Sequence, residues 1–330
     1  MKLSIIIVSW NVRPYVIACL ESLLRFAPPC DYEIFVVDNA SFDGTVEAVR
    51  SQYPSVNVIA NQTNAGFARA NNQAAAKAAG DYLFILNPDT LFLSNTISPL
   101  LDFMDTHPDV AVCGPRVLNE DGSIQRSVRG EVSWRMAFAR HTLLGKMGLF
   151  SELLRQWRCR DFDYSKQADV GVSIGAALLI RKNIYQRIGG FDERFFMYFE
   201  ELDLCKRIRE EGGRVVFYPG AEIVHLGGKS SKQIPAKKNF MYLNSLILYL
   251  QKYSSPTQSR ILTVLFRLGV VVDQLGEGVF YCLKSLAYKL FGNSVRSSQY
   301  AARYKSAIEF VCRYAFVFLR GKDSNVKYGK

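Results

Sequence analysis

The sequence predicts an α/β protein whose mostly parallel sheet is covered by helices on both faces. Five short, continuously apolar runs each end in polar residues, and segments with helical spacing of apolar residues separate them. Strands buried on both faces are continuously apolar, and parallel strands need crossover connections, so this alternation favours a parallel sheet. A chain of 330 residues with 49% hydrophobic content can bury a large core and carry an appendage.

The predicted strands are the apolar runs at 3–9, 33–38, 56–60, 82–86 and 110–113. The predicted helices are the periodic segments at 14–26, 45–52, 67–79 and 97–106. The first run is short and meets Trp10 and Asn11 instead of a small-residue cleavage site, which favours a buried strand over a signal peptide. Ligands of such sheets bind beyond the carboxyl ends of the strands, where Asp38, Asn39 and Asp89 stand.

Charge and cysteine usage constrain the location and organisation of the chain. Seven cysteines form no CxxC pair and cannot all pair within one molecule, which indicates a reducing cytoplasm. Residues 229–330 hold 17 Lys and Arg against 4 Asp and Glu, a net charge of +13. Since the whole chain carries +11, residues 1–228 carry −2. We therefore expect a main domain over 1–235 and a basic helical region over 236–330.

Two polar loops follow the second and third predicted strands. The loop that begins at Asp38 either caps the next helix with its side-chain oxygens or places Asp38 to accept hydrogen bonds from a nucleobase. The segment from Asn64 to Asn72 is either a turn into a helix or a ligand loop, in which Gly66 allows close backbone approach and Arg69 meets a phosphate.

A third polar turn, at 87–89, follows the apolar run at 82–86. It is either a simple turn or the place where Asp89 binds Mg²⁺ or Mn²⁺, which prefer oxygen ligands and substrate phosphates. One carboxylate makes a poor site, and His225, at the end of another apolar run, is the leading second ligand. The alternative for His225 is a structural histidine.

An acidic cluster follows the aromatic residues at 195–199. Glu200, Glu201 and Asp203 either complement the dipole of a helix that starts there or supply a catalytic base. Glu200 and Asp203 share one helix face, while Glu201 lies about 100° around. Adjacent carboxylates can raise one another's pKa, which suits a base that deprotonates a hydroxyl.

Eight motifs in order resemble family 2 inverting glycosyltransferases of the GT-A fold, most closely the bacterial rhamnosyltransferase-type branch. The resemblance covers about residues 3 to 235. The motifs are VSWN (8–11), VVDNAS (36–41), NAGFARANN (64–72), NPD (87–89), GAALLIR (175–181), GGFDE (189–193), FEELDL (199–204) and HLGG (225–228).

The resemblance implies a Rossmann-like GT-A sheet and a role for each motif. Asp38 is expected to hold the donor base, and Glu201 resembles the catalytic base, with Glu200 and Asp203 as alternatives. Asp89 stands for the last acid of the metal-binding DxD motif and His225 completes the Mg²⁺ or Mn²⁺ site; Asn87 replaces the first acid and lowers the charge there. The remaining expected donor-binding residues are Ser9, Asn11, Asn39, Asn64, Gly66, Arg69, Asn72, Asn87, Gly175 and Ala176.

The implied reaction is direct displacement on a nucleotide-diphospho-sugar, dTDP- or UDP-linked, by a hydroxyl of a glycan or polyprenyl-linked acceptor. The branch suggests rhamnose as the sugar and cell-surface polysaccharide assembly as the process. The basic segment at 229–232 is either a loop that closes on the phosphates or a surface linker.

The basic tail contains two apolar runs, 261–272 and 278–291, interrupted by charged residues. They are too interrupted for simple membrane spans and favour amphipathic helices on an anionic membrane surface, as in a cytoplasmic enzyme peripheral at the inner face. A membrane hairpin, packing on the catalytic domain and an oligomer interface are the alternatives.

Two other classes compete with glycosyl transfer. A nucleotidyltransferase also uses a parallel sheet, a metal and carboxylates, but it needs a Gly-rich phosphate loop, and the segment from Ser9 to Pro14 has no glycine. A nucleic-acid-binding or other non-catalytic membrane-binding protein would explain the basic tail, which however carries no recognised reading motif for nucleic acid. We therefore expect no nucleic-acid partner.

Overall fold

The computed structural model describes residues 2–146, 150–228 and 233–321, which form two compact units. The first unit comprises 2–131 and 158–228, and the second comprises 132–146, 150–157 and 233–321. The basic segment at 229–232, for which a phosphate-closing loop is one interpretation, lies outside the described residues.

Eleven strands are found in the first unit as described. They are β1 (Leu3–Ser9), β2 (Tyr32–Asp38), β3 (Asn57–Ala60), β4 (Tyr82–Leu86), β5 (Thr90–Leu91), β6 (Val110–Leu118), β7 (Val128–Arg129), β8 (Ala168–Asp169), β9 (Val172–Ser173), β10 (Ala177–Arg181) and β11 (Arg214–His225). Nine of them form one sheet, in which β8 pairs with β11 and the others follow the order β3-β2-β1-β4-β10-β6-β11-β5. The remaining two, β7 and β9, pair with each other.

The helices alternate with these strands and then dominate the end of the chain. They are α1 (Arg13–Arg25), α2 (Thr45–Gln52), α3 (Phe67–Ala75), α4 (Ile97–Thr106), α5 (Trp134–His141), α6 (Leu143–Lys146), α7 (Ser151–Trp157), α8 (Lys182–Arg187), α9 (Glu200–Glu210), α10 (Pro235–Lys252), α11 (Pro256–Leu290), α12 (Ser294–Glu309) and α13 (Ala315–Arg320). A π-helical turn, Phe310–Tyr314, joins the last two.

The α/β prediction is confirmed. Strands β1 to β4 are mutually parallel in the order β3-β2-β1-β4, and β1 is buried along its whole length. Strand β10 is antiparallel to β4 and β6, so the sheet is mixed beyond its parallel half. Because β10 runs the opposite way, its first residue, Ala177, lies opposite Leu86 at the carboxyl end of β4. Loops before β10 and after β4 therefore meet at one edge.

Two predicted boundaries differ from the structure by more than one residue. Strand β6 continues past Cys113 to Leu118, because Arg116–Leu118 pair with Glu222–Val224 of β11, a partner distant in sequence. Helix α3 ends at Ala75, before the predicted end at 79, because the chain tightens into a turn in which Lys77 and Ala78 both donate to the Ala74 carbonyl.

The second unit has a core of aromatic side chains. Phe240, Phe266, Phe310 and Phe318 are fully buried, and Trp134 packs edge-on against Phe266 with ring centroids 6.2 Å apart. Trp157 is also buried, beneath the Arg140 guanidinium. Trp134 and Trp157 are therefore packing residues.

The two apolar runs of the tail are one continuous helix of 35 residues, α11, so the hairpin alternative is wrong. Gly278 does not break the helix, because it allows close packing on α12: a Cβ at this position would lie 3.3 Å from Ile308 Cδ1. None of the helices in the described part of the chain is both long and apolar enough to cross a membrane.

Candidate functional site

The carboxyl ends of β1 and β2 present a buried acceptor and a buried hydroxyl. Asp38 is 1% exposed, and one of its carboxylate oxygens accepts the Ser41 backbone N–H at 2.8 Å. Its other oxygen and the Ser9 hydroxyl find no hydrogen-bond partner among the described residues. Burial raises the pKa of the Asp38 carboxyl above its ordinary value. Unpaired buried polar groups are costly, so this pair is suited to a polar ligand.

Asn11 joins the two loops that frame Asp38. Its backbone N–H donates to the Ser41 hydroxyl at 2.8 Å, and its side-chain oxygen accepts the Phe42 N–H at 2.9 Å. Asn11 and Ala40 both have positive φ, of 51° and 62°. The bonds across the two turns hold these uncommon conformations and fix the mouth of the Asp38 site.

Asn39 stabilises the loop that follows β3. Its amide nitrogen donates to the Gly66 carbonyl at 3.1 Å, and its oxygen accepts from Asn61 and from the Ala65 N–H. The Asn64 side chain in turn accepts the Gly66 N–H at 3.0 Å. Gly66 has φ of 84°, and a Cβ there would lie 2.5 Å from the Phe196 carbonyl oxygen, so only glycine fits.

Asn72 and Arg69 project from α3 with different roles. The Asn72 oxygen accepts from the Tyr185 hydroxyl at 2.5 Å and from the Phe191 N–H at 3.0 Å, which ties α3 to the 189–193 motif. Arg69 lies 3.8 Å from Glu193, with 62% of its side chain exposed. Such a surface ion pair contributes little, so Arg69 can turn toward a phosphate.

Asp89 and His225 meet at the carboxyl ends of β4 and β11. His225 pairs with Thr90 across β11 and β5, and its Nε2 lies 3.3 Å from an Asp89 carboxylate oxygen and 3.3 Å from the Asn87 amide nitrogen. Both side chains are nearly buried, with 10% and 6% exposed. Asp89 and His225 therefore lie close enough together to contact one ligand, as the sequence hypothesis requires.

Gln125 orients the imidazole of His225. The Gln125 amide nitrogen faces two oxygens, the His225 carbonyl at 3.0 Å and the Asn119 side chain at 2.9 Å. Its oxygen must then face His225 Nδ1, 2.6 Å away, so Nδ1 donates to it. This leaves Nε2 facing the Asn87 amide nitrogen and the Asp89 carboxylate, each 3.3 Å away.

The residues at this position fit a divalent metal ion. His225 Nε2 and an Asp89 carboxylate oxygen, 3.3 Å apart, are close enough to contact one ion together. In the described part of the chain no cluster of three or more His, Cys, Asp or Glu side chains is arranged for a metal. Two protein ligands suffice for Mg²⁺ and Mn²⁺ sites that use substrate phosphates and water as the other ligands.

Replacing Gln125 with Ala is expected to weaken Mn²⁺ binding about 10–100-fold, the usual effect of removing a hydrogen-bond partner of a metal-binding histidine. Mn²⁺ titration followed by the electron paramagnetic resonance of the free ion measures this directly. Gln52→Ala, at the exposed end of α2, is the control and should bind Mn²⁺ like the wild type. Equal affinities of the two variants would contradict the role of Gln125.

Glu200 and Glu201 begin α9 after two residues in the left-handed region, Tyr198 with φ of 72° and Phe199 with φ of 69°. Each such residue costs about 1–3 kcal/mol. One carboxylate oxygen of each glutamate lacks a hydrogen-bond partner among the described residues. Burial and then the neighbouring Glu201 raise the pKa of Glu200 well above its ordinary value.

Opposing effects act on the pKa of Glu201. Burial raises its pKa, whereas the Arg129 guanidinium and the backbone N–H of Gly175 lower it. The Arg129 charge and the Gly175 N–H thus favour the ionised form of Glu201. A Cβ on Gly175 would lie 3.8 Å from Glu201 Cβ, and the next residue, Ala176, accepts the Asn87 N–H at 3.0 Å. The Gly175–Ala176 segment thus joins the glutamate pair to the Asn87–Asp89 turn.

Asp203 is engaged inside the protein. It is fully buried, and Arg207 donates to it at 2.7 Å, one turn further along α9. Arg207 also donates to the Ile188 and Gly190 carbonyls at 2.8 Å and 2.7 Å. This network supports the 189–193 motif and favours a structural role for Asp203.

Replacing Arg207 with Gln is expected to lower the free energy of unfolding by about 3–5 kcal/mol, because it leaves the Asp203 charge buried without its partner. Urea denaturation measures the change. Arg25→Gln is the matched control, since Arg25 and Glu21 form an exposed pair at the same spacing, 3.7 Å apart. Its loss should stay below about 1 kcal/mol. Similar losses in both variants would show that Asp203 is not held by Arg207.

Three residues of the site were not expected from the sequence: Gln125, Arg129 and Arg207. Gln125 and Arg129 lie between the end of β6 and the start of α5, where no periodic pattern marks them. Arg207 carried a usable signal, because an arginine four residues after an aspartate on a helix predicts an ion pair. That spacing alone does not reveal that the pair is buried.

Comparison with solved structures defines the class of fold as GT-A. The mannosyltransferase PcManGT from Pyrobaculum calidifontis, solved with GDP-Man and Mn²⁺, aligns with a TM-score of 0.54 and 17% identity over 94% of this chain and 87% of that one. GalNAc-T7, solved with UDP, GalNAc and Mn²⁺, aligns with a TM-score of 0.52 and 20% identity over 74% of this chain. This chain spans about half, 47%, of the GalNAc-T7 chain.

The chain belongs to glycosyltransferase family 2: the family model described as Glycosyl transferase family 2 matches residues 4–189. The N-acetylglucosaminyl-diphospho-decaprenol L-rhamnosyltransferase of Mycobacterium tuberculosis H37Rv is 29% identical over 75% of this chain and 83% of its own length. The rhamnosyltransferase WbbL of Escherichia coli K12 is 24% identical over 75% and 92%. The protein is thus a glycosyltransferase, which sets the nucleotidyltransferase and non-catalytic alternatives aside.

Proposed function

We propose that this protein is an inverting, metal-dependent transferase that moves a sugar from a nucleotide-diphospho-sugar to a hydroxyl of a glycan or polyprenyl-linked acceptor. The observation that carries the proposal is the structural connection between Glu201, the proposed base, and Asp89, a proposed metal ligand. Glu201 lies against Gly175, and the adjacent Ala176 is hydrogen-bonded to the turn that bears Asp89. A base and a diphosphate-holding group side by side are what direct displacement requires.

The donor is proposed to lie along the carboxyl ends of β1, β2 and β4. Asp38 and Ser9 supply an unpaired acceptor and an unpaired hydroxyl for the nucleobase. Asn11, Asn39, Asn64 and Gly66 shape the surrounding loops. Arg69 is exposed and supplies a cation for the diphosphate.

Asp89 and His225 would hold Mg²⁺ or Mn²⁺, with Gln125 orienting the imidazole. When bound, the ion supplies charge neutralisation for the diphosphate leaving group. Asn87 contributes an amide where a carboxylate would add negative charge, so Asp89 is the one anionic side chain of the NPD motif.

Glu201 is proposed to remove the proton from the acceptor hydroxyl as it attacks the anomeric carbon. The hydroxyl oxygen forms a bond to that carbon on the face opposite the diphosphate, the carbon–oxygen bond to the diphosphate breaks, and the configuration inverts. Glu200, whose pKa is raised by burial and by Glu201, stays protonated beside it and avoids a second charge.

The relatives named above guide the choice of substrates. Both are rhamnosyltransferases, and the mycobacterial one is named for a diphospho-decaprenol acceptor. We propose dTDP-rhamnose or a UDP-sugar as donor and cell-surface polysaccharide assembly as the process. We also propose that the cytoplasmic enzyme meets its acceptor at the inner face of the cell membrane.

Thermal-shift binding of UDP-, dTDP- and GDP-sugars, each with and without Mn²⁺, tests the donor and metal proposals. A shift with one nucleotide that depends on Mn²⁺ supports them. Mass spectrometry of a polyprenyl-diphosphate glycan acceptor incubated with that donor then tests transfer, and the anomeric configuration of the product by NMR tests inversion. Retention of configuration would contradict the inverting mechanism. Donor binding that does not change with Mn²⁺ would contradict the metal dependence.

A further inference from the structure

Helix α11 carries a long apolar stripe on its outer face. Ten aliphatic side chains form this stripe, each between 47% and 87% exposed: Ile261, Val264, Leu265, Leu268, Val272, Leu275, Val279, Leu283, Leu286 and Leu290. At 3.6 residues per turn they fall within an arc of about 100° on the helix surface. No charged residue between 261 and 290 shares that arc.

The stripe faces away from the core of its own unit. Thr263, Phe266, Val270 and Asp273, on the opposite side of α11, are buried, so the rotation of the helix about its axis is fixed by packing. The stripe is not covered by any residue that the structure describes, as its exposure shows. Contiguous apolar surface of this length marks an interaction site on a soluble protein.

Cations border the stripe, and the apolar surface continues past its end. Arg260 and Lys289 are exposed and lie at the edge of the stripe near its two ends. Phe291, in the turn after α11, and Val295, in the first turn of α12, add exposed apolar side chains, and exposed Arg296 follows. The two acids of α11, Asp273 and Glu277, lie on the other side of the helix.

This charge arrangement argues against a second copy as the occupant. In an antiparallel pair centred on the stripe, Arg260 of one copy would lie beside Lys289 of the other. In a parallel pair the cations of the two copies would lie on opposite sides of the seam. Neither pairing gives these cations an acidic partner at the seam. A surface of anionic lipid headgroups neutralises both cations while its acyl region receives the aliphatic side chains.

We propose that the stripe of α11 lies flat in the interface of an anionic lipid bilayer and anchors the protein there. The helix is amphipathic and is not apolar enough to cross the membrane. The proposal deepens the proposed function by naming the surface that brings the enzyme to a lipid-borne acceptor, and it rests on that function only for this purpose. Vesicle binding itself needs no sugar nucleotide.

Co-sedimentation of the full chain with vesicles tests the proposal. The protein should bind vesicles of phosphatidylglycerol and phosphatidylcholine at least tenfold more tightly than vesicles of phosphatidylcholine alone, and more weakly as salt rises. The double variant Leu268→Gln and Leu275→Gln should lose at least tenfold in affinity. Leu93→Gln, at a side chain that is 66% exposed in the first unit, is the matched control and should bind like the wild type.

The cations are tested separately. Arg260→Gln together with Lys289→Gln should weaken binding to anionic vesicles by about fivefold for each cation removed. Lys77→Gln, at another exposed lysine, should leave it unchanged. Thermal-shift binding of the donor by the stripe variants should match the wild type, so a failure of vesicle binding is distinguishable from a failure of the transferase proposal.

Two results would overturn the proposal. One is equal sedimentation of the wild type and the stripe variant with anionic vesicles. The other is a pair of observations: the wild type binds no vesicles, and in sedimentation equilibrium it is a dimer that becomes monomeric in the stripe variant. Together they would assign the stripe to contact with a second copy of the chain.

Discussion

Replacing Glu201 with Gln is expected to lower the rate of sugar transfer about 10²–10⁴-fold, the range that general base catalysis contributes. The amide keeps the size of the side chain but cannot accept a proton. Donor binding, measured by thermal shift, should stay near the wild-type value, because Glu201 is proposed to act on the acceptor. Glu210→Gln, at the exposed end of the same helix, is the control and should transfer at the wild-type rate.

The pH dependence gives an independent check on this role. Glu201 must be ionised to act, and burial raises its pKa above the ordinary value. Transfer should therefore fall as the pH drops through that raised pKa, which gives kcat/KM an acid limb above the ordinary range of a glutamate. If Glu201→Gln retains full turnover while Glu200→Gln loses it, the base is Glu200.

Replacing Asp89 with Asn is expected to weaken Mn²⁺-dependent donor binding more than about 100-fold, since outer hydrogen-bond partners of metal ligands alone are worth 10–100-fold. The substitution removes the one carboxylate of the NPD motif while keeping a side-chain oxygen. Calorimetric titration of the nucleotide-sugar with and without Mn²⁺ measures the change. Asp102→Asn, at an exposed position on α4, should behave like the wild type.

The alternative interpretation of Asp89 gives a different result. If Asp89 only shapes the turn after β4, Asp89→Asn should lower the unfolding temperature and leave the Mn²⁺ dependence of donor binding intact. If it is a metal ligand, the free protein should be about as stable as the wild type, because the amide has the same shape and the lost charge is needed only to hold the ion. The two measurements together separate the roles.

Much of the parallel half of the fold follows from local patterns. Strands β1 and β4 have their predicted bounds, because a strand buried on both faces must be continuously apolar wherever it lies in the sheet. The order of motifs also predicts which residues stand at the strand ends. The hypothesis that Asp89 and His225 share a site rests on that logic, and their atoms lie 3.3 Å apart.

Contacts between residues far apart in the sequence determined the features that local sequence patterns do not predict. Gln125 reaches His225 across 100 residues of sequence, and nothing near Gln125 marks it as a partner. The extension of β6 to Leu118 and the continuity of α11 past Gly278 likewise depend on strands and helices that pack against them. Each is a contact between distant segments, whose free energy appears only after the chain has folded.

The sequence by itself determined the class of fold, the family and the acidic, amide and histidine residues from which the site is built, because periodicity and motif order are properties of neighbouring residues. Only the tertiary structure decided how those residues differ from one another. Arg207 pairs with the buried Asp203, Arg129 lowers the pKa of Glu201 against the effect of burial, and burial together with Glu201 raises the pKa of Glu200. The physical reason is that burial and charge proximity, which set the protonation of a carboxyl group, depend on the three-dimensional surroundings of each side chain.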